Sequence, residues 1–227
     1  MGKKLICLCL LIFSATLLNS CDDKGNAKEN LLGTWVLKPE NSMDLTWESP
    51  LTISIGGIDM PTEAVALLAA KIGSDLMTEK LYSIDFKDDG NINVNHKDDN
   101  SGRLVTEVYG TYKVVNNNKL LYYPDVEKML KGVQGIDHNK MEELKDLAKQ
   151  GMPVNYVLMG QNLTDLRMYL DTNTIKEMKL LFPLLVASLL GGDIEGDTVN
   201  VIIENLPALL DMTTKIELGL NFDKKIN

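Results

Sequence analysis

Tyr82-Ser83-Ile84-Asp85-Phe86-Lys87-Asp88-Asp89-Gly90-Asn91-Ile92-Asn93-Val94-Asn95 reads as two strands folded on one turn. Tyr82, Ile84 and Phe86 alternate with Ser83, Asp85 and Lys87, the period of a half-buried strand. Asp88-Asp89-Gly90 supplies the turn, because glycine accepts the positive φ that a tight hairpin needs. Ile92 and Val94 continue on the return strand, and His96 falls in their register. Outward from this hairpin the same period recurs. Leu104, Thr106, Val108, Gly110, Tyr112 and Val114 form one face of a long strand, which turns at Asn116-Asn117-Asn118 into Leu120–Tyr123. Leu166, Met168 and Leu170 alternate with Arg167 and Tyr169, and Ile216, Leu218, Leu220 and Phe222 alternate with Glu217, Gly219, Asn221 and Asp223.

Helical spacing fills the intervals. Val65, Leu68, Ile72 and Leu76 follow Pro61, a residue tolerated at a helix start. Val126, Met129, Leu130 and Val133 begin a second stretch that Gly135 interrupts; Met141, Leu144 and Ala148 resume it, and Gly151 and Pro153 end it. Thr174 and Glu177 have the spacing of a capping box before Leu180, Leu181, Phe182, Leu185 and Leu189. Asp197 caps a fourth expected helix carrying Val199, Ile202, Ile203 and Leu206. The fold class is therefore mainly antiparallel β, with several helical insertions (α+β). So long an antiparallel sheet closes into a barrel or curves strongly to remove its edges.

The first twenty residues form a targeting segment: Lys3 and Lys4, then an apolar run from Leu5 to Leu18. It ends in Leu18-Asn19-Ser20-Cys21, which resembles the lipobox of bacterial lipoprotein precursors. That resemblance implies cleavage between Ser20 and Cys21 and a diacylglycerol on the Cys21 thiol, so the partner is a membrane, reached through lipid. An ordinary secretory signal with a chance cysteine, or a retained anchor helix, are the competing readings. Under the lipobox reading Cys7 and Cys9 leave with residues 1–20, and no thiol remains for a disulfide or redox chemistry. Residues 21–30, with Asp22-Asp23-Lys24 after the anchor, read as a flexible tether, and residues 31–227 as one domain. An acidic cluster just after the cysteine resembles the surface-export signal of Bacteroidota lipoproteins. In enterobacteria an aspartate directly after the cysteine instead favours inner-membrane retention; of the two locations in the cell envelope, the outer membrane, facing outward, is the favoured reading.

Removal of residues 1–20 leaves 207 residues and moves the formal charge from −9 to −11. Nothing in that balance resembles the basic stripe that nucleic acid requires.

Leu31-Leu32-Gly33-Thr34-Trp35 looks like the Gly-x-Trp opening of the lipocalin and calycin barrels. The Asp88-Asp89-Gly90 hairpin, Gly110-Thr111-Tyr112 and Leu218-Gly219-Leu220-Asn221-Phe222 follow in order, an arrangement similar to the lipocalin-like lipoproteins of Bacteroidota. The resemblance implies a lipocalin-like barrel, a packing role across a barrel end for Trp35, and a cup for a small apolar ligand. In that family a late-strand arginine accompanies the tryptophan; the last strand here offers Lys215 instead.

Chemistry-bearing motifs are scarce. His96 and His138 are the only histidines, and both read as solvated. No Gly-x-Ser-x-Gly elbow, His-Glu-x-x-His pair or phosphate loop occurs, so neither catalytic residues nor a cofactor are assigned and no enzyme is expected. Asp193, Glu195, Asp197 and Glu204 match calcium-loop spacing, but Thr198 stands where that loop requires glycine, and no metal is expected. Asp197-Thr198-Val199 also resembles a short O-glycosylation motif. The expectation is a non-enzymatic lipoprotein binding a small apolar ligand. The alternative is a surface protein that docks an unknown protein partner through its late apolar helices.

Overall fold

The computed structural model describes residues 23–55, 57–98, 101–129, 138–178 and 207–225. Its strands are β1 (Gly33–Leu37), β2 (Met43–Glu48), β3 (Thr52–Ile55), β4 (Ile58–Pro61), β5 (Leu81–Phe86), β6 (Asn91–Lys97), β7 (Leu104–Asn116), β8 (Lys119–Pro124), β9 (Met152–Met159), β10 (Asp165–Leu170) and β11 (Lys215–Lys224). The helices are α1 (Asp23–Leu31), α2 (Thr62–Lys80), α3 (Val126–Met129), α4 (His138–Gln150) and α5 (Thr172–Glu177). Residues 207–211 add a short turn of helix.

Eight strands pair antiparallel in the order β1-β5-β6-β7-β8-β9-β10-β11, and β11 returns to β1, so the sheet closes into a barrel. Closure removes the open edges that a curved sheet would keep. β1 and β2 run one after the other along the same side of β11: Leu37 faces Phe222 and Met43 faces Leu220. Between them the chain breaks at Asn41, whose φ is 54°. Past that break the chain no longer pairs with β5, and α2 lies along β2 instead. The Ser74 hydroxyl there accepts from Met43 N–H at 3.0 Å and donates to Met43 O at 3.2 Å. A side chain thus stands in for a strand partner and keeps the backbone pair satisfied.

Alternation along the strands builds the core. Trp35, Leu37, Ile84, Phe86, Ile92, Tyr112, Leu120, Val154, Tyr156, Leu166 and Phe222 meet inside the barrel, with Leu31 of α1 among them. Trp47, Ile53, Val65, Ala66, Ile175, Leu210 and Ile216 form a second cluster beneath the insertions.

Several expectations change. The stretch expected as a tether is helical from Asp23 to Leu31; Ala27 and Leu31 are buried, and α1 lies against β7. Two apolar side chains one helical turn apart are enough to hold it on the barrel. In α2 the buried side is Thr62, Val65 and Ala66, while Leu68 and Ile72 of the expected stripe are exposed. Small residues decide this, because Gly73 leaves the room that the Met43 thioether fills. The cap of α5 is Asp171, not Thr174: its carboxylate accepts Thr174 N–H at 2.9 Å. Strand β9 occupies the stretch where Pro153 was read only as a helix stop. A bulge between Leu81 and Ser83 leaves Tyr82 exposed rather than beside Ile84.

Candidate functional site

Up-and-down connectivity sorts the connections onto two ends of the barrel. One end carries the turns 87–90, 117–118 and 160–164, each of two to five residues. The opposite end carries the described residues of the connections β1–β5, β6–β7, β8–β9 and β10–β11, and among the described residues every helix except α1 lies there. Loops on a rigid barrel are where binding residues are free to vary.

The turn end is filled. Trp35 is fully buried, and its indole N–H donates to Leu31 O at 2.7 Å. The Lys224 ammonium lies 5.1 Å from the centroid of the Trp35 ring and donates to Asn30 O at 3.2 Å. The cation beside the tryptophan is therefore Lys224. Lys215 sits at the other end of β11, 3.6 Å from Glu217. Phe86 and Tyr112 meet edge to face at 4.9 Å. The Tyr112 hydroxyl donates to Lys87 O and that of Tyr156 to Asn116 O. Burial pushes both phenols up to about 12, helped at Tyr112 by Asp88, Asp89 and Asp85.

The insertion end is different. Met77, Leu81, Val94, Met152 and Leu170 are only partly buried where they join the core, as are Val114 and Leu158 toward the turn end. Among them a polar group faces inward. In the β5–β6–β7 register Leu81, His96 and Val105 align, as do Val94 and Glu107, on the face that Ile84 and Phe86 turn to the core. A bulge makes this possible. Ile92 pairs with Gly110 but Asn93 pairs with Val108, so Tyr109 is an extra residue in β7. The bulge also switches the faces of the strand, and Leu104 and Val108, expected inside, are exposed. His96 Nε2 lies 3.3 Å from the Tyr109 hydroxyl and 4.0 Å from a Glu107 carboxylate oxygen. The two rings meet edge to face at 5.6 Å. His96 is thus engaged and three-quarters buried (24% side-chain exposure) rather than merely solvated.

A second polar network lies on the outer wall. Arg167 holds Asp44 with two nitrogens, at 3.0 Å and 2.5 Å, and stacks at 4.4 Å on Tyr169. Asn221 donates to the same carboxylate at 3.0 Å. Burial pushes the Asp44 carboxyl up, but the hydrogen bonds from Arg167 and Asn221 and the Arg167 charge outweigh it and leave it below the usual range. Gly219 sits opposite Asp44 and allows this approach, since a Cβ there would lie 2.7 Å from the carboxylate. These groups satisfy one another, and the network reads as a clamp between β2, β10 and β11.

On α2, Leu67, Leu68 and Ile72 are exposed, as is Ile58 of the β3–β4 hairpin. Among the described residues no helix is long and apolar enough to cross a membrane, and no three His, Cys, Asp or Glu side chains gather to hold a metal ion.

Ser20, Cys21, the carboxylates from Asp193 to Glu204 and most of the late apolar helices lie outside the described residues, as does the side chain of His138. Glu107 and Tyr109 escaped sequence reasoning because a one-residue bulge leaves no trace in a period-2 pattern. The register of His96 with Val94 was the available signal.

Compared with known proteins, the chain matches no protein-family model, no curated protein and no solved structure.

Proposed function

We propose that this chain is a lipid-anchored lipoprotein of the bacterial cell envelope, outward-facing at the outer membrane, whose lipocalin-like barrel binds a small apolar ligand at its insertion end without catalysing a reaction. The observation that carries the binding reading is the asymmetry of the barrel. Trp35, Phe86, Tyr156 and Phe222 fill the turn end, whereas partly buried methionine and leucine side chains and a polar trio face inward at the other. Ligand sites are mostly apolar with a few convergent polar groups, and this end has that composition.

The anchor rests on Leu18-Asn19-Ser20-Cys21. Cys21→Ser abolishes incorporation of labelled palmitate in cells and releases the protein from membranes; labelling that persists in the variant would refute the anchor. For the ligand, native mass spectrometry with lipid extraction on protein purified from its own organism gives a stoichiometric apolar adduct. A clean apo mass from freshly isolated protein would count against the cup.

The exposed α2 residues Leu67, Leu68 and Ile72 favour a second reading, a surface protein that docks a partner. Under it, Leu68→Glu with Ile72→Glu abolishes cross-linking to a protein partner on intact cells and leaves the melting temperature unchanged.

A further inference from the structure

We infer that the turn end of the barrel is its membrane-facing surface: α1 is a short strut that holds this end against the lipid headgroups and points the insertion end away from them. This rests on the lipid-anchor reading and adds the orientation of the domain on its membrane.

Chain length sets the constraint. Only Asp22 separates Cys21 from Asp23, the first residue of α1. Two peptide units span at most about 7 Å, so a lipid on Cys21 brings the start of α1 to the bilayer surface. The helix itself gives no slack. It runs nine residues, about 13 Å, and is fixed to the turn end at several points. Leu31 is buried in the core, and its carbonyl accepts the Trp35 indole proton. The Lys28 ammonium donates at 2.7 Å to both the carbonyl and the carboxylate of Asp88, in the 87–90 turn. The Lys224 ammonium donates to Asn30 O.

The course of α1 decides which end it serves. It leads into β1 at Gly33 yet packs against β7, and those strands stand three places apart in the closed order β1-β5-β6-β7. The helix therefore crosses the turn end, and the anchor leaves from the rim of that end. Cations there are paired with carboxylates: Lys28 with Asp88, and Lys38, 2.6 Å from Asp165 and 3.1 Å from Asp223. Such a face stands at a headgroup surface without entering it. β11 joins the two ends in ten residues, about 33 Å of strand, and a tilt of about 40° leaves about 25 Å along the barrel axis. The insertion end thus stands clear of the headgroups. Whatever it binds reaches it from the medium, not by lateral diffusion within the anchoring leaflet.

The test is energy transfer on the lipidated protein, purified from membranes and reconstituted in phosphatidylethanolamine–phosphatidylglycerol vesicles with a headgroup-labelled acceptor lipid. Residues 22–227 contain no cysteine, so a single donor dye is placed through Asn117→Cys, exposed in a turn, or Met212→Cys, 50% exposed at the insertion end. Transfer from position 117 exceeds that from position 212 severalfold. A flexible insert of about ten glycine and serine residues between Asp22 and Asp23 adds about 17 Å of reach and brings the two within about twofold. Equal transfer from the two positions without the insert, as from a barrel lying on its side, overturns the orientation and leaves the anchor standing. Stronger transfer from position 212 does the same. A difference that survives the insert overturns the role of α1. Protein that carries no lipid and fails to float with the vesicles overturns the anchor and the orientation together.

Discussion

Cutting Leu31 back to alanine tests whether α1 is part of the barrel or a passenger on it. Leu31 has no exposed surface and sits in the same cluster as Trp35 and Phe86, beneath the carbonyl that receives the Trp35 indole proton. Removing its three terminal carbons loses their transfer free energy and leaves a cavity that barrel strands, pinned on both sides, cannot collapse to fill. Leucine-to-alanine changes at such sites cost about 3 kcal/mol. With a urea m-value of about 2 kcal/mol/M, the unfolding midpoint followed by tryptophan fluorescence falls by about 1.5 M. Lys28→Ala is the contrast on the same helix. Its pair with Asp88 is 2.7 Å long, but the side chains are 41% and 84% exposed. Exposed pairs contribute less than about 1 kcal/mol. If the two variants unfold together near the wild-type midpoint, α1 is no part of the barrel, and residues 23–31 behave as the tether their polar composition suggested.

Gly110→Ala places a Cβ 2.3 Å from Tyr123 O and 2.8 Å from the Tyr122 ring, at a φ of 153°. It costs about 3 kcal/mol in urea unfolding, whereas Gly102→Ala, in open space at φ 64°, costs only about 1; equal losses would contradict the close approach. In acid, Asp44 is the group to follow. Its folded pKa lies below the ordinary 3.8, so its contribution is complete above that value and lost as pH falls through the depressed one. Asp44→Asn accordingly flattens the dependence of the urea midpoint on pH below about 4, and an unchanged slope counts against the clamp. In alkali the sign reverses. Burial pushes Tyr112 and Tyr156 up to about 12 and Tyr122 further, so stability is complete below the ordinary value of 10 and falls as pH rises beyond it, because the unfolded chain releases those protons first. Absorbance at 295 nm should then show these tyrosines ionising only as the protein unfolds; normal titration of all seven in the folded state would be inconsistent with their burial.

How far the sequence could be read followed from how regular each element is. Around the Asp88-Asp89-Gly90 turn the alternation holds from Ser83 to Asn95, and the structure folds the two strands on it as read, with Ile84 opposite Val94; β11 keeps its alternation and pairs with β10, Leu218 opposite Leu170. β2 and β9 were invisible because Met43–Glu48 is short and Pro153 in β9 signals a stop. That proline falls at the second residue of its strand, where loss of a ladder hydrogen bond is tolerated. In α2 the apolar spacing was right for a helix and wrong for its buried face. Which side lies down depends on the size of residues such as Ala66 and Gly73, and hydrophobicity does not measure that.

The bulges connect this partial legibility to the site. Each inserts one residue into a strand whose faces otherwise alternate, so every side chain beyond it changes sides. In β7 the change falls at Tyr109. On the turn side of it Tyr112 enters the core; on the insertion side Leu104 and Val108 turn to solvent while Val105 and Glu107 take the inner face. Without the bulge, an unbroken alternation inward from Tyr112 would carry Val108 and Leu104 inside and put Glu107 out, and His96 would face aliphatic side chains. An acidic side chain on the inner face near a barrel end costs stability that a packed leucine would supply. The strand accepts that cost at the insertion end, and not at the end sealed by Trp35.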